Sequence, residues 1–139
     1  MDLHIFGLFD AIKFEPTKPT YAIRLISGKN YPEERKPLFD SHLYRGINCY
    51  QFDDITPRVG RGILFTEAMA GKILEEFIVQ RLYVDALLVN CFFGKNRSPA
   101  VGIALNEIYG LGHDTDALKE QYNEANWYVY ETLKRVAGR

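Results

Sequence analysis

Cys91, Arg97 and Ser98 stand in one short run, Cys91-Phe92-Phe93-Gly94-Lys95-Asn96-Arg97-Ser98, and these residue types at this spacing are equipped for chemistry on an anionic ester. A thiolate is a potent nucleophile at neutral pH, provided its surroundings favour the charged form. A loop that runs from a strand into a helix turns several backbone N–H groups, and the positive end of the helix dipole, toward one point. Cys91 opens such a loop. Gly94 can take backbone angles closed to other residues and lets the amides converge. Arg97 offers a planar fork that matches two oxygens of a phosphate group. Ser98 can donate its hydroxyl to the sulfur and steady it as a leaving group. One of Phe92 and Phe93 is expected to line the pocket and the other to pack beneath it.

The segments around this run supply the scaffold it requires. Residues 84–89 are a short, mostly apolar stretch suited to a strand buried on both faces, and it leads directly to Cys91. Pro99 fits the first turn of a helix that continues through Val101, Ile103, Leu105 and Ile108 until Gly110 and Gly112 end it. Residues 3–9 and 21–26 read as strands, and residues 46–52 alternate like a half-buried one. That last strand ends at Asp53 and Asp54, followed by a loop marked by Pro57, Gly60 and Gly62. Cys49, within the strand pattern, is expected in the core. Thr66 caps a helix predicted to run to about Gln80. From Asp114 or Thr115, one long amphipathic helix is predicted along the stripe Leu118, Tyr122, Ala125, Val129, Leu133 and Val136, with Trp127 and Tyr130 off it. Residues 28–40 read as a solvated loop or short surface helix with no part in the chemistry, though a loop of this kind builds the depth and rim of a pocket. The expected fold is therefore α/β, a single domain over residues 1–139 with a central, largely parallel sheet of short strands covered by helices on both faces.

Bulk composition narrows the setting. The 139 residues are 47% apolar and carry a net charge of −1, so one core is affordable and no global field draws the chain to nucleic acid or membrane. No general nucleic-acid surface and no membrane span are expected. Cys49 and Cys91 have neither Cys-x-x-Cys spacing nor the density of a disulfide framework, and no leader peptide is read at the start, so a cytoplasmic protein is expected. His4, His42 and His113 lie too far apart in sequence for a zinc motif, and neither metal nor cofactor is expected.

With Cys91, five intervening residues, Arg97 and Ser98, the sequence resembles the cysteine-dependent phosphatases of the protein tyrosine phosphatase superfamily. Its context, a buried strand before the motif, a helix after it and a position well past the middle, is similar to the compact dual-specificity branch. The resemblance spans roughly residues 49–109. It differs from low-molecular-weight tyrosine phosphatases and arsenate reductases, whose loop follows the first strand. The resemblance implies a dual-specificity phosphatase-like fold, a phosphocysteine intermediate on Cys91, and a phosphate-binding loop of Phe92, Phe93, Gly94, Lys95, Asn96 and Arg97. It further implies a general acid thirty to forty residues before the cysteine, where Asp54 is the first choice and Asp53 the alternative. Two departures stand out. Asn90 replaces the usual histidine before the cysteine, and it cannot titrate. Lys95 resembles phosphoinositide phosphatases of the family, whereas Asn96 resembles its RNA 5′-triphosphatases. The phosphorylated substrate is thus left open among protein, lipid, nucleotide and RNA 5′-phosphate. A catalytically silent module that binds phosphorylated partners is the alternative, and rhodanese-like sulfur transfer is disfavoured by Arg97 followed by Ser98.

Overall fold

Helices and strands alternate along the chain in the computed structural model, which describes residues 1–139. Strand β1 (Asp2–Phe6) is followed by helix α1 (Leu8–Lys13), β2 (Thr20–Ile26), a 3-10 turn (Pro32–Arg35) and β3 (Tyr44–Gln51). Then come α2 (Glu67–Gln80), a second 3-10 turn (Arg81–Tyr83), β4 (Ala86–Asn90), α3 (Arg97–Tyr109), α4 (Thr115–Gln121) and α5 (Trp127–Val136). The four strands form one all-parallel sheet in the order β1-β4-β2-β3.

The two central strands, β2 and β4, are buried at every position. Their sequences are accordingly near-continuous apolar runs, as a parallel sheet covered on both faces demands. Odd-numbered residues of these strands, among them Tyr21, Ile23, Leu25, Leu87 and Val89, join the main core with α2, α3 and α5. Even-numbered Ala22 and Leu88 face the other way and meet Ala11 of α1 and Leu38 in a small second cluster. Helix α3 is buried on nearly all sides, including Ala100, Val101, Ile103, Ala104 and Leu105, because it lies between the sheet and α5. The α/β fold with a parallel sheet is as expected. Thr66 caps α2 by accepting the Met69 N–H at 3.2 Å, also as expected.

Three expectations are corrected. The first strand does not reach Phe9: Gly7 ends it and stands at the N-terminus of α1, so Leu8 packs inward from a helix. The long C-terminal helix is two helices. Tyr122 leaves the helical region, and Asn126 restarts it by accepting the Val129 N–H on its side chain at 3.2 Å, a local cap that outcompetes the continuing apolar stripe. The break turns Tyr130 inward, where it is 2% exposed, while Trp127 stays at the surface. Cys49 is exposed, because β3 is an edge strand and no helix covers its side of the sheet there. Residues 28–40 are largely exposed and carry the short 3-10 turn Pro32–Arg35, as expected.

Candidate active site

Strand β4 delivers Cys91 to the carboxyl end of the sheet, where the Cys91 N–H continues the ladder by donating to the Phe6 carbonyl at 3.3 Å. The chain then curls back over its own sulfur. The Gly94 N–H donates to Cys91 Sγ at 3.2 Å, and Ser98 Oγ lies 3.1 Å from the same sulfur. Ser98 Oγ is also 3.3 Å from the Phe6 carbonyl. The hydroxyl has one proton, so these acceptors compete for it, and negative charge on sulfur draws it there. Helix α3 begins at Arg97 with its N-terminus against the loop, adding the positive end of its dipole.

The curl depends on close approach of two backbones. Gly94 has φ +75°, and a Cβ on it would lie 2.4 Å from the Gly7 nitrogen. A Cβ on Gly7 would in turn meet the Phe93 carbonyl at 3.1 Å. Beside this contact the Leu8 N–H donates to the Phe92 carbonyl at 2.9 Å, so the first turn of α1 buttresses the loop.

Arg97 is 7% exposed and forms no ion pair with a carboxylate. Its Nη1 donates to the Phe52 carbonyl at 2.9 Å, at the end of β3. Buried charge is unfavourable without a counter-charge, and a guanidinium held this way leaves donors for an anion at the loop. Asn90, in the place of the expected histidine, is buried and accepts from Arg24 Nε at 3.4 Å on the α1 side of the sheet.

The two aspartates after β3 have different surroundings. Asp53 Oδ1 accepts the Gly28 N–H at 2.9 Å and its Oδ2 accepts the Ile63 N–H at 2.7 Å, so its carboxylate ties together two loops. Asp54 is exposed, and its Oδ1 accepts from Asn126 Nδ2 at 2.9 Å. Asn126 is a joint: its Nδ2 also reaches the Ile55 carbonyl at 3.1 Å, and its backbone N–H donates to the Asn96 carbonyl at 2.9 Å. Asn96 uses its own side chain on the Glu124 carbonyl at 2.7 Å. Cys91, Gly94, Arg97 and Ser98 are thereby brought together. The Asp54 loop is fastened to the same loop through Asn126.

A cavity of about 400 Å³ opens beside the loop, lined by Ser27, Tyr31, Glu33, Glu34, Phe92, Phe93 and Arg97. Both phenylalanines line it, rather than one lining and one packing beneath, and Phe93 is 72% exposed. Tyr31, Glu33 and Glu34, from the segment between β2 and β3, form its far wall. Glu34 is buried and holds that wall in place by accepting the Ser27 N–H at 2.7 Å. Lys95 faces a separate cleft with Gly94, Tyr122 and Glu124.

Sequence reasoning missed Gly7, Asn126 and the Tyr31 wall. A glycine interrupting an apolar strand pattern and an asparagine three residues before Val129 were the available signals for the first two. Nothing local marks Tyr31, since its place follows from the crossover between β2 and β3.

No family description matches the chain, and no curated protein matches it. Among solved structures, the chain is similar to Tk-PTP in the active form, a protein tyrosine phosphatase, with a TM-score of 0.57 and 15% identity, over 100% of this chain and 93% of that one. At that identity the likeness establishes a shared α/β fold.

Proposed function

We propose that the chain is a cysteine-dependent phosphatase of the dual-specificity phosphatase-like kind, hydrolysing phosphate monoesters without a metal through a phosphocysteine at Cys91. The observation that carries this reading is the sulfur itself, which faces the Gly94 N–H and the Ser98 hydroxyl at the N-terminus of α3, beside a buried arginine with no carboxylate partner.

In the first step the Cys91 thiolate attacks phosphorus, the S–P bond forms, and the P–O bond to the leaving group breaks. Asp54 supplies the proton that the departing oxygen takes up. Its Oδ1 is held by Asn126, so Oδ2 is the oxygen assigned to carry that proton. In the second step water attacks phosphorus, Asp54 accepts the water proton, and the S–P bond breaks to release phosphate and thiolate. Ser98 donates to the sulfur as it leaves. Arg97, with one N–H anchored on Phe52, is assigned to the equatorial oxygens, together with the backbone amides of Phe92, Phe93, Gly94, Lys95 and Asn96. Asp53, with both oxygens engaged by backbone N–H groups, serves the loop rather than the leaving group.

The cavity walls bear on the substrate. Tyr31, Phe92 and Phe93 present aromatic surface next to Arg97, and Glu33 stands on the rim. A flat aryl phosphate, as on a phosphorylated tyrosine, fits such walls better than a polyanionic headgroup. Because the nucleophile is a free thiol, the reducing cytoplasm is the proposed setting. No helix is long and apolar enough to cross a membrane.

The test is hydrolysis of para-nitrophenyl phosphate in the presence of a chelator. The native chain is expected to turn over, and Cys91→Ser to fall to background while keeping its fold. Full activity in Cys91→Ser would overturn the reading. Protection of Cys91 from alkylation by vanadate, without any turnover, would instead identify the silent binding module.

A further inference from the structure

The α1 side of the sheet carries a second buried cation. Arg24, in the middle of β2, is 5% exposed, and its Nη2 is buried with no hydrogen-bond partner. The other buried side-chain atom without a partner is the Tyr44 hydroxyl. Both residues line one cavity of about 410 Å³, between β2, the start of β3 and the extended segment that follows the first 3-10 turn. Leu38, Phe39 and Ile47 supply its apolar walls.

This pairing is unfavourable as it stands. A guanidinium buried without a carboxylate, and a phenol buried without an acceptor, each lose their water contacts without replacement. Burial accordingly lowers the Arg24 pKa and raises that of Tyr44. Arg24 has no ion pair, although exposed Asp40 lies on the cavity rim. Its Nε bond to Asn90 fixes the guanidinium while leaving Nη2 unused.

We propose that this cavity is a binding site for a small organic monocarboxylate, whose carboxylate pairs with the Arg24 guanidinium and accepts from the Tyr44 hydroxyl once a small side-chain movement uncovers Nη2 and the hydroxyl, while its apolar part lies against Leu38, Phe39 and Ile47. A planar carboxylate matches the guanidinium fork and supplies the missing counter-charge. The apolar walls select against a fully hydrated inorganic ion, and Asp40 on the rim selects against multiply charged ones. The site lies on the opposite face of the sheet from the main core and shares no lining residue with the cavity at Cys91.

The experiment is a titration of the isotope-labelled chain with benzoate at constant pH and ionic strength, read by amide and arginine Nε resonances. Benzoate is expected to shift the signals of Leu38, Phe39, Tyr44 and Arg24 Nε saturably. Tyr44→Phe, which removes one hydroxyl, is expected to weaken that binding about fivefold, and Arg24→Met to abolish it. Unmoved signals in this segment, or equal affinity in Tyr44→Phe, would overturn the proposal. An equal response to inorganic phosphate would overturn the carboxylate assignment. If Arg24→Met does not fold, the Tyr44→Phe comparison decides alone.

Discussion

Asn126 donates its side-chain amide to Asp54 at 2.9 Å while its backbone N–H holds the Asn96 carbonyl at 2.9 Å, so one residue fastens the aspartate loop to the cysteine loop. Its side-chain oxygen also caps α5. These roles are separable. Asn126→Ala is expected to lose about 1 kcal/mol from the cap and to slow turnover of poor leaving groups such as phenyl phosphate. Asn126→Ser keeps a capping oxygen but is too short to reach Asp54. It is expected to unfold closer to the native midpoint yet show the same leaving-group dependence as Asn126→Ala, measured by denaturation and by kcat across substituted phenyl phosphates.

The two aspartates are expected to part company under substitution. Asp53→Ala removes the acceptor of two backbone N–H groups and is expected to cost about 1–3 kcal/mol of stability. Asp54→Ala, at an exposed position, is expected to change stability by less than about 1 kcal/mol while reducing turnover most for substrates with poor leaving groups. Urea denaturation beside steady-state kinetics checks both. A stable Asp53→Ala with the larger kinetic defect would exchange their roles.

Gly94→Ala is expected to damage the fold more than Gly7→Ala. At Gly94 the left-handed backbone alone disfavours a side chain by about 1–2 kcal/mol, and the new Cβ would strike the Gly7 backbone, which cannot rotate away. At Gly7 the contact with the Phe93 backbone, at 3.1 Å, is less severe and the residue has ordinary negative φ. Thermal midpoints of the two variants give the order, and Gly94→Ala is expected to lose activity as well.

His4 gives the fold a pH dependence of known sign. Burial among Phe6 and Phe14 holds its pKa below the ordinary 6.5, with Asp2 pulling the other way. The folded state therefore favours the neutral ring. Its contribution to stability is present above pH 6.5 and is lost as pH falls through that value and then through the lower folded one. Between pH 7.5 and 5.5 the native chain is expected to lose more in urea midpoint than His4→Phe, which keeps the aromatic packing without the proton.

Much of this site was legible because its central parts are contiguous. Cys91, Gly94, Arg97 and Ser98 lie within one strand-loop-helix passage, and β4 and α3 are marked by apolar runs and Pro99. What stayed hidden is non-local. The carbonyl that anchors Arg97 belongs to Phe52, and a backbone oxygen leaves no mark in a sequence. Cys49 looked like core because the alternation along β3 fixes which residues share a face but not which face is left uncovered. The C-terminal break escaped because the stripe from Leu118 to Val136 fits one helix, and it contains no Pro or Gly to interrupt it. Only the cap at Asn126 decides the matter.

The Phe6 carbonyl receives Cys91 from one side and lies against Ser98, 92 positions away along the chain, on the other. In folding terms the loop depends on a contact that is non-local in sequence. Strand β1 is an edge strand whose neighbour in the sheet is β4, with Asp2 opposite Ala86, so β1 can pair only once that distant strand is in place. Closing so long a loop adds an entropic barrier that no local propensity removes. The loop at Cys91 therefore takes its shape from a contact distant in sequence, and a chain in which β1 has not docked lacks the Phe6 carbonyl that meets both Cys91 and Ser98.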